Sequence, residues 1–351
     1  MELNAMQPSS PDLLGEHSSI LALRKLINRV ARSKVSTVLI YGETGTGKSV
    51  VARMIHQQSD RCLCEFIDIN CAAIPAELLE SELFGHERGS FTGAVGRKEG
   101  LIETANGGTV FLDEVRELDP VMQAKILTLL DTQRFRRVGA VNPINVDVRF
   151  IAATNKILLS EVKAGKFRDD LYYRLQVIAI NIPPLRERGD DIFLLTEQFL
   201  KKYNAVYGSH MTRLEPQVEQ IFRRYQWPGN VRELQNLLER ICLLEDGDCI
   251  CVHHLPARIL RETAAAAEAV STPASEAFEP AAGPGVHGHS YHDATMHFQR
   301  ALIERVLTQC QRSFGSAAQQ LGLTRHALRH QMLKLGMLTQ DIATDNSPTD
   351  V

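Results

Sequence analysis

The octapeptide Gly42-Glu43-Thr44-Gly45-Thr46-Gly47-Lys48-Ser49 leaves this chain little freedom, because of what stands on either side of it. An apolar, β-branched run, Val35–Tyr41, leads in, and a stretch with helical spacing, Val50–Gln58, leads out. This is the pattern G-x-x-x-x-G-K-[ST] in the strand, loop, helix setting that it requires. Glycines let backbone N–H groups curl around phosphate oxygens, and the following helix N-terminus adds partial positive charge. In such a loop Lys48 reaches the β and γ phosphates, and Ser49 offers its hydroxyl to Mg2+. The alternative, a Gly-rich turn arisen by chance, has no need of those flanks.

A second segment carries the complementary chemistry. Gly107-Gly108-Thr109-Val110-Phe111-Leu112-Asp113-Glu114 is an apolar run that ends on two adjacent acids. At the end of such a strand Asp113 is placed to hold Mg2+, and Glu114 to orient and deprotonate the attacking water. Hydrolysis is therefore expected, and not binding alone.

Around these motifs the chain alternates. Short β-rich runs occur at Val35–Tyr41, Cys64–Ile69, Thr109–Leu112, Val148–Ala152 and Val177–Ile182, separated by helical spacing such as Val121–Asp131. The alternation predicts an α/β fold, a parallel sheet flanked by helices. Pro183-Pro184 ends it, and from Asp190 to Leu260 only helical spacing is read, which predicts a smaller helical subdomain. The stretch 261–296 is rich in Ala, Pro, Gly and Ser and reads as a linker, helical at most at its start. The expected divisions are thus a tail at 1–12, an α/β subdomain at 13–182, a helical lid at 183–260, the linker, a helical domain at 297–338 and a tail at 339–351.

Net charge is −3, so any nucleic-acid contact must be local. It is local: residues 297–338 hold Arg300, Arg305, Arg312, Arg325, Arg329 and Lys334 against the single acid Glu304. Within this segment Ser316–Met337 reads as helix, Gly322 turn, helix, with Ala317, Ala318, Leu321, Leu328, Met332 and Leu335 facing inward. Thr324 stands at an N-cap position, which leaves Arg325, His326, Arg329, His330 and Lys334 for DNA. No apolar run approaches a membrane span, and the first residues lack the basic and apolar regions of a signal peptide, so a cytoplasmic protein is expected. Seven cysteines in such a chain read as free thiols. Cys62, Cys64 and Cys71 are expected to be small packed side chains. The second Cys-x-Cys pair, Cys249 and Cys251 before His253 and His254, departs from the usual metal-binding spacing.

One hexapeptide stands apart from all this: Gly89-Ser90-Phe91-Thr92-Gly93-Ala94 sets a single large ring between glycines. The ring is either tucked under its loop or held out to touch something.

Taken in order, GETGTGKS, GSFTGA, GGTVFLDE, FRDDLYYRL and WPGNVREL resemble the AAA+ domain of bacterial sigma-54-dependent activators, the NtrC-type enhancer-binding proteins, over residues 13 to about 258. The C-terminal segment is similar to the Fis-type helix-turn-helix of that family. The resemblance implies an ATPase that binds ATP and Mg2+, forms a ring (by likeness a hexamer), binds enhancer DNA, and remodels the closed complex of sigma-54 RNA polymerase holoenzyme. It implies that Asn70 restrains the catalytic glutamate, that Asn155 is a sensor of the phosphates, and that Arg168 and Arg174 reach a neighbouring subunit's γ-phosphate. Arg232 takes the place of the lid's sensor arginine, and Phe91 and Thr92 touch sigma-54. This chain has Ser90 where the family's usual residue is alanine. Relatives often carry an N-terminal sensor domain ahead of this module, and residues 1–12 hold none, so a stand-alone form controlled by a separate regulatory protein is expected. Two other functions share some of these parts. A ring unfoldase or chaperone shares the ATPase, and a repressor with ATP as mere ligand shares the DNA-binding end but has no use for Glu114.

Overall fold

The five apolar runs become one parallel sheet. The computed structural model describes residues 13–271 together with 300, 303–308, 310, 313–320, 328, 332 and 337. In chain order the strands are β1 (Thr37–Tyr41), β2 (Phe66–Asn70), the short pair β3 (Gly85–His86) and β4 (Lys98–Glu99), and β5 (Thr109–Asp113). The short pair β6 (Arg134–Phe135) and β7 (Ile144–Asn145) follows, then β8 (Arg149–Thr154) and β9 (Ala179–Asn181). The main sheet has the order β2-β5-β8-β1-β9, and every pairing within it is parallel.

Burial follows position in that order. The central strand β8 is buried at all six residues, whereas edge strand β2 buries only Ile69 and leaves Asp68 and Asn70 exposed. A strand covered on both faces is apolar over most of its length, which is why these runs read as nearly continuous in the sequence. Helices α1 (Ser18–Ala31) and α2 (Lys48–Gln57) cover one face, where Ile20, Ile27, Val51 and Ile55 pack on Val38, Ile40 and Ile151. Helices α3 (Ala76–Phe84), α4 (Leu101–Thr104), α5 (Pro120–Thr132), α6 (Leu158–Lys163) and α7 (Asp169–Leu175) contribute to the other, around Leu39, Leu112 and Phe150. Asp119 caps α5 by accepting from the Met122 N–H at 2.8 Å, with Pro120 in the first helical position.

Register then fixes the working edge. Tyr41 pairs with Thr154 and Asn70 with Asp113, so the carboxyl ends of neighbouring strands form a row. In open parallel sheets ligands bind beyond that row.

After the Pro183-Pro184 break come α8 (Asp191–Tyr207), α9 (Pro216–Arg224), α10 (Asn230–Leu244) and α11 (Ala257–Ser271). Their core closes on Trp227, which is 1% exposed and donates its indole N–H to the Phe222 carbonyl. Phe222 and Tyr225 stand edge-on to the indole at 5.1 Å each. This subdomain is not purely helical, as its spacing suggested. Arg213–Leu214 (β10) and Cys249–Ile250 (β11) form a two-stranded parallel sheet, too short to leave a periodic signal. Helix α11 also runs well past residue 260, through the Ala-rich stretch, because alanine is the best helix former.

The described residues fall into two units, one within 1–273 and one within 274–351. In the second, Ile303, Val306, Ala317, Ala318, Leu328 and Met332 are buried together, in line with the inward face read for 317, 318, 328 and 332. Leu321, Gly322 and Leu335 lie outside the described residues.

The cysteine expectation needs correcting. All seven thiols are free, yet Cys62 and Cys64 are exposed and only Cys71 of that trio is buried. They sit in the turn before β2, ahead of the first residue the sheet covers. Burial pushes the Cys71 thiol up to about 12. Among the described residues no group of three His, Cys, Asp or Glu side chains is arranged to hold a metal ion, Cys249, Cys251, His253 and His254 included. No helix among them is long and apolar enough to cross a membrane.

Candidate nucleotide site and its projecting loop

Beyond the strand ends lies a cleft of about 260 Å³, lined by the loop, by Asn70, Asp113 and Glu114, and by Val231, Arg232 and Gln235 of α10. The loop leaves β1 and turns into α2 at Gly47, whose φ of 103° lies in the left-handed region that glycine enters without cost. Lys48 is 7% exposed, and its ammonium donates to the Gly42 carbonyl at 3.1 Å. The same ammonium stands 3.5 Å from Glu114. Glu114 itself takes a φ of 54°, a backbone angle that is costly for a residue with a Cβ. Its N–H is held by the Asp113 carboxylate at 3.0 Å. One Glu114 oxygen, Oε2, is buried with no hydrogen-bond partner among the described residues.

The other expected residues fall around this cleft unequally. Asn70 lines it, but its side-chain oxygen accepts from the Ala72 N–H at 2.9 Å and does not bond Glu114, which pairs with Lys48 instead. Asn155 lies across the loop and donates to the Thr44 hydroxyl at 3.4 Å. Arg232 of α10 is exposed and lines the cleft, while its backbone N–H donates to the Gly45 carbonyl at 3.3 Å. Arg168 and Arg174 are not among the cleft's lining residues. Arg168 is held in a two-pronged bond to Asp170, at 3.0 and 2.7 Å. Arg174 donates to the Leu130 carbonyl at 2.8 Å and stands 3.0 Å from Asp131.

The hexapeptide forms a closed loop between β3 and β4. Gly89 N–H donates to the Ala94 carbonyl, and Ala94 N–H to that of Phe91. Phe91 is 41% exposed and touches the His86 ring edge-on at 5.0 Å, so it is held out and not sealed in the core. Thr92 and Gly93 are exposed beside it, while Ala94 is buried. Ser90 packs against Gly139, where any Cβ would come within 2.8 Å of the Ser90 Cβ, and its hydroxyl is buried with no hydrogen-bond partner among the described residues.

Two sets of residues escaped the sequence reading. Arg137, 9% exposed, donates to both oxygens of Glu103 at 2.7 and 2.8 Å and to Glu87 at 3.0 Å, which ties the loop base to α4. Arg186, Arg188 and Asn230 connect the lid to the phosphate loop. Burial lowers the Arg188 guanidinium to about 10, and its Nη2 donates to the Thr46 carbonyl at 3.0 Å. The arginines of Pro-Leu-Arg-Glu-Arg after the last sheet strand were one available signal, and Asn230 stands within the WPGNVREL segment. Of the DNA-facing set, Thr324, Arg325, His326, Arg329, His330 and Lys334 all lie outside the described residues.

Residues 13–181 match the family described as "Sigma-54 interaction domain", and 186–272 the "AAA+ ATPase lid domain". The chain is 43% identical to the response regulator protein PilR of Pseudomonas aeruginosa, over 94% of this chain and 71% of PilR. It is 39% identical to the DNA-binding transcriptional regulator NtrC of Escherichia coli, over 93% and 70% of the two chains. Among solved structures, NtrX from Brucella abortus in complex with ADP is 31% identical, with a TM-score of 0.66 over 93% of this chain and 69% of NtrX.

Proposed function

We propose, from the premise that this chain belongs to the sigma-54-dependent transcriptional activators and carries their AAA+ ATPase, that hydrolysis in the Lys48–Glu114 cleft drives the Phe91 loop against sigma-54. The observation that carries this reading is the loop itself: an aromatic ring 41% exposed at the tip of a closed turn whose base is braced by an ion-paired, largely buried arginine. A ring held out at that cost in exposed apolar area has its partner elsewhere.

In the cleft, Lys48 and the loop amides bind the phosphates of ATP, a nucleotide carried by the related NtrX in another of its structures. The donors beside them are hard oxygens, the Ser49 hydroxyl and the Asp113 carboxylate, which fit Mg2+. The ion, when bound, neutralises charge on the transferred phosphoryl group. Glu114 holds and deprotonates the attacking water once it leaves Lys48 for the nucleotide's side of the cleft. Asn70 and Asn155 report the phosphate's presence. Arg168 and Arg174, half-exposed and held by acids of their own chain, serve a neighbouring subunit's site in a ring, expected to be a hexamer. Planar guanidinium suits the spread charge of the transition state. The basic segment 297–338 binds enhancer DNA through Arg325, Arg329 and their neighbours.

Phe91→Ala tests the central claim. The variant is expected to hydrolyse ATP at the parent rate and to lose promoter opening with sigma-54 holoenzyme in vitro. Promoter opening at the parent level would sink the assignment.

A further inference from the structure

The motif leaves the second position of the phosphate loop open to any residue, so nothing in phosphate binding asks for a carboxylate there. A negative charge beside the site opposes nucleotide binding. Glu43 nevertheless occupies it, and it is engaged from across the molecule. Arg186 donates to both of its oxygens, at 2.9 and 2.6 Å, and Asn230 donates to one of them at 3.1 Å. The Arg186 bond holds the Glu43 carboxyl below the usual range.

Asn230 is the centre of the arrangement. It is fully buried at the start of α10, with a φ of 50°, a conformation that Asn tolerates better than most residues. Its side-chain oxygen accepts from the Leu185 N–H at 2.8 Å, in the segment that joins sheet to lid. Its amide nitrogen also donates to the Thr44 carbonyl at 3.1 Å. The next two loop carbonyls are taken as well: Gly45 by the Arg232 N–H at 3.3 Å, and Thr46 by Arg188 at 3.0 Å. Three consecutive carbonyls of the loop are thus held by donors from beyond Pro184. A trans peptide points its N–H opposite its C=O. Holding these oxygens toward the lid therefore turns the N–H groups of Gly45, Thr46 and Gly47 away from it. Contact is close enough to demand glycine, since a Cβ on Gly45 would lie 2.2 Å from the Gly229 carbonyl.

We propose that Glu43, Arg186 and Asn230 form a latch by which the lid presets the phosphate loop, making Glu43 and Asn230 positioning residues for nucleotide binding. The inference rests on the ATPase assignment and not on the role of the Phe91 loop. The two halves of the latch differ in magnitude. Removing Arg186 breaks the tie and leaves a bare carboxylate beside the phosphates, whereas removing the Glu43 charge weakens the tie and leaves no carboxylate there.

The test is steady-state ATP hydrolysis and fluorescent ADP binding by the full chain, without polymerase. Arg186→Ala is expected to raise KM and the ADP Kd about tenfold, the factor carried by one charge-assisted hydrogen bond. Glu43→Gln should raise both by less, and the double variant E43Q/R186A should return to the Glu43→Gln value. Asn230→Gly keeps the left-handed backbone and should raise KM more than it changes kcat. Additive effects of the Glu43 and Arg186 variants, or unchanged KM and Kd in both, overturn the latch. Should Asn230→Gly fail to fold, the more exposed Glu43 and Arg186 pair decides alone. Promoter opening enters none of these measurements, so loss of the Phe91 assignment and loss of the latch remain separate results.

Discussion

At the scale of single residues, the cleft holds two of its charged groups as a pair. Lys48 stands 3.5 Å from Glu114, the acid proposed to activate the attacking water. Lys48→Ala is expected to lose nucleotide binding, read as loss of ADP fluorescence titration. Glu114→Gln keeps shape and binding and should lower kcat by at least about a hundredfold, the usual worth of a general base. A residue far from the chemistry sets a pH limit. His56 is buried and bonded to the Thr109 hydroxyl at 3.0 Å, and burial is the main cause that depresses its pKa. The folded state therefore favours neutral imidazole, so the unfolded chain binds the proton more readily. Stability is full above the ordinary histidine range and falls as pH drops toward the depressed folded value. His56→Gln should flatten that slope in denaturant melts between pH 5 and 7, a range bracketing about 6.5. The motif residues of the cleft were legible because each needs a fixed chemical type at fixed spacing. Asn70 ends β2 and accepts from the Ala72 N–H without bonding Glu114, since hydrogen-bond choice depends on atoms that spacing does not locate.

At the scale of elements, all five sheet strands were legible and each moved by only a residue or two. Continuous β-branched runs bounded by glycine or proline have one cheap solution, a covered parallel strand. Pieces of two residues escaped, β10 and β11 among them, because period needs length. The lid depends on Trp227, whose left-handed φ of 50° and indole bond to Phe222 lock the turn before α10. Trp227→Ala is expected to destabilise the protein by roughly 3–5 kcal/mol, the range for emptying a large aromatic site. A urea melt measures it. The Phe91 loop belongs to this scale too. Its composition left two orientations open, and the Arg137–Glu103–Glu87 brace beneath it accompanies the outward one.

At the scale of the whole molecule, Arg168 and Arg174 stand outside the lining of their own cleft. If Arg168 completes a neighbour's site, ATP turnover per subunit should rise with protein concentration. Arg168→Ala and Glu114→Gln chains, each inactive alone, should regain turnover when mixed, because some interfaces then combine an intact Glu114 with an intact Arg168. Mixtures as inactive as their parts would refute shared sites. The sequence by itself determined the kinds of chemistry present and the strands that carry them, since both are local: a few residues at set spacing, or one apolar run. Only the tertiary structure decided which way Phe91 turns, which partner Glu114 keeps, and that Glu43 meets Arg186 and Asn230. The Glu43 contacts join segments more than a hundred residues apart, and their formation depends on how separately folded faces pack, a matter of shape that no stretch of sequence contains.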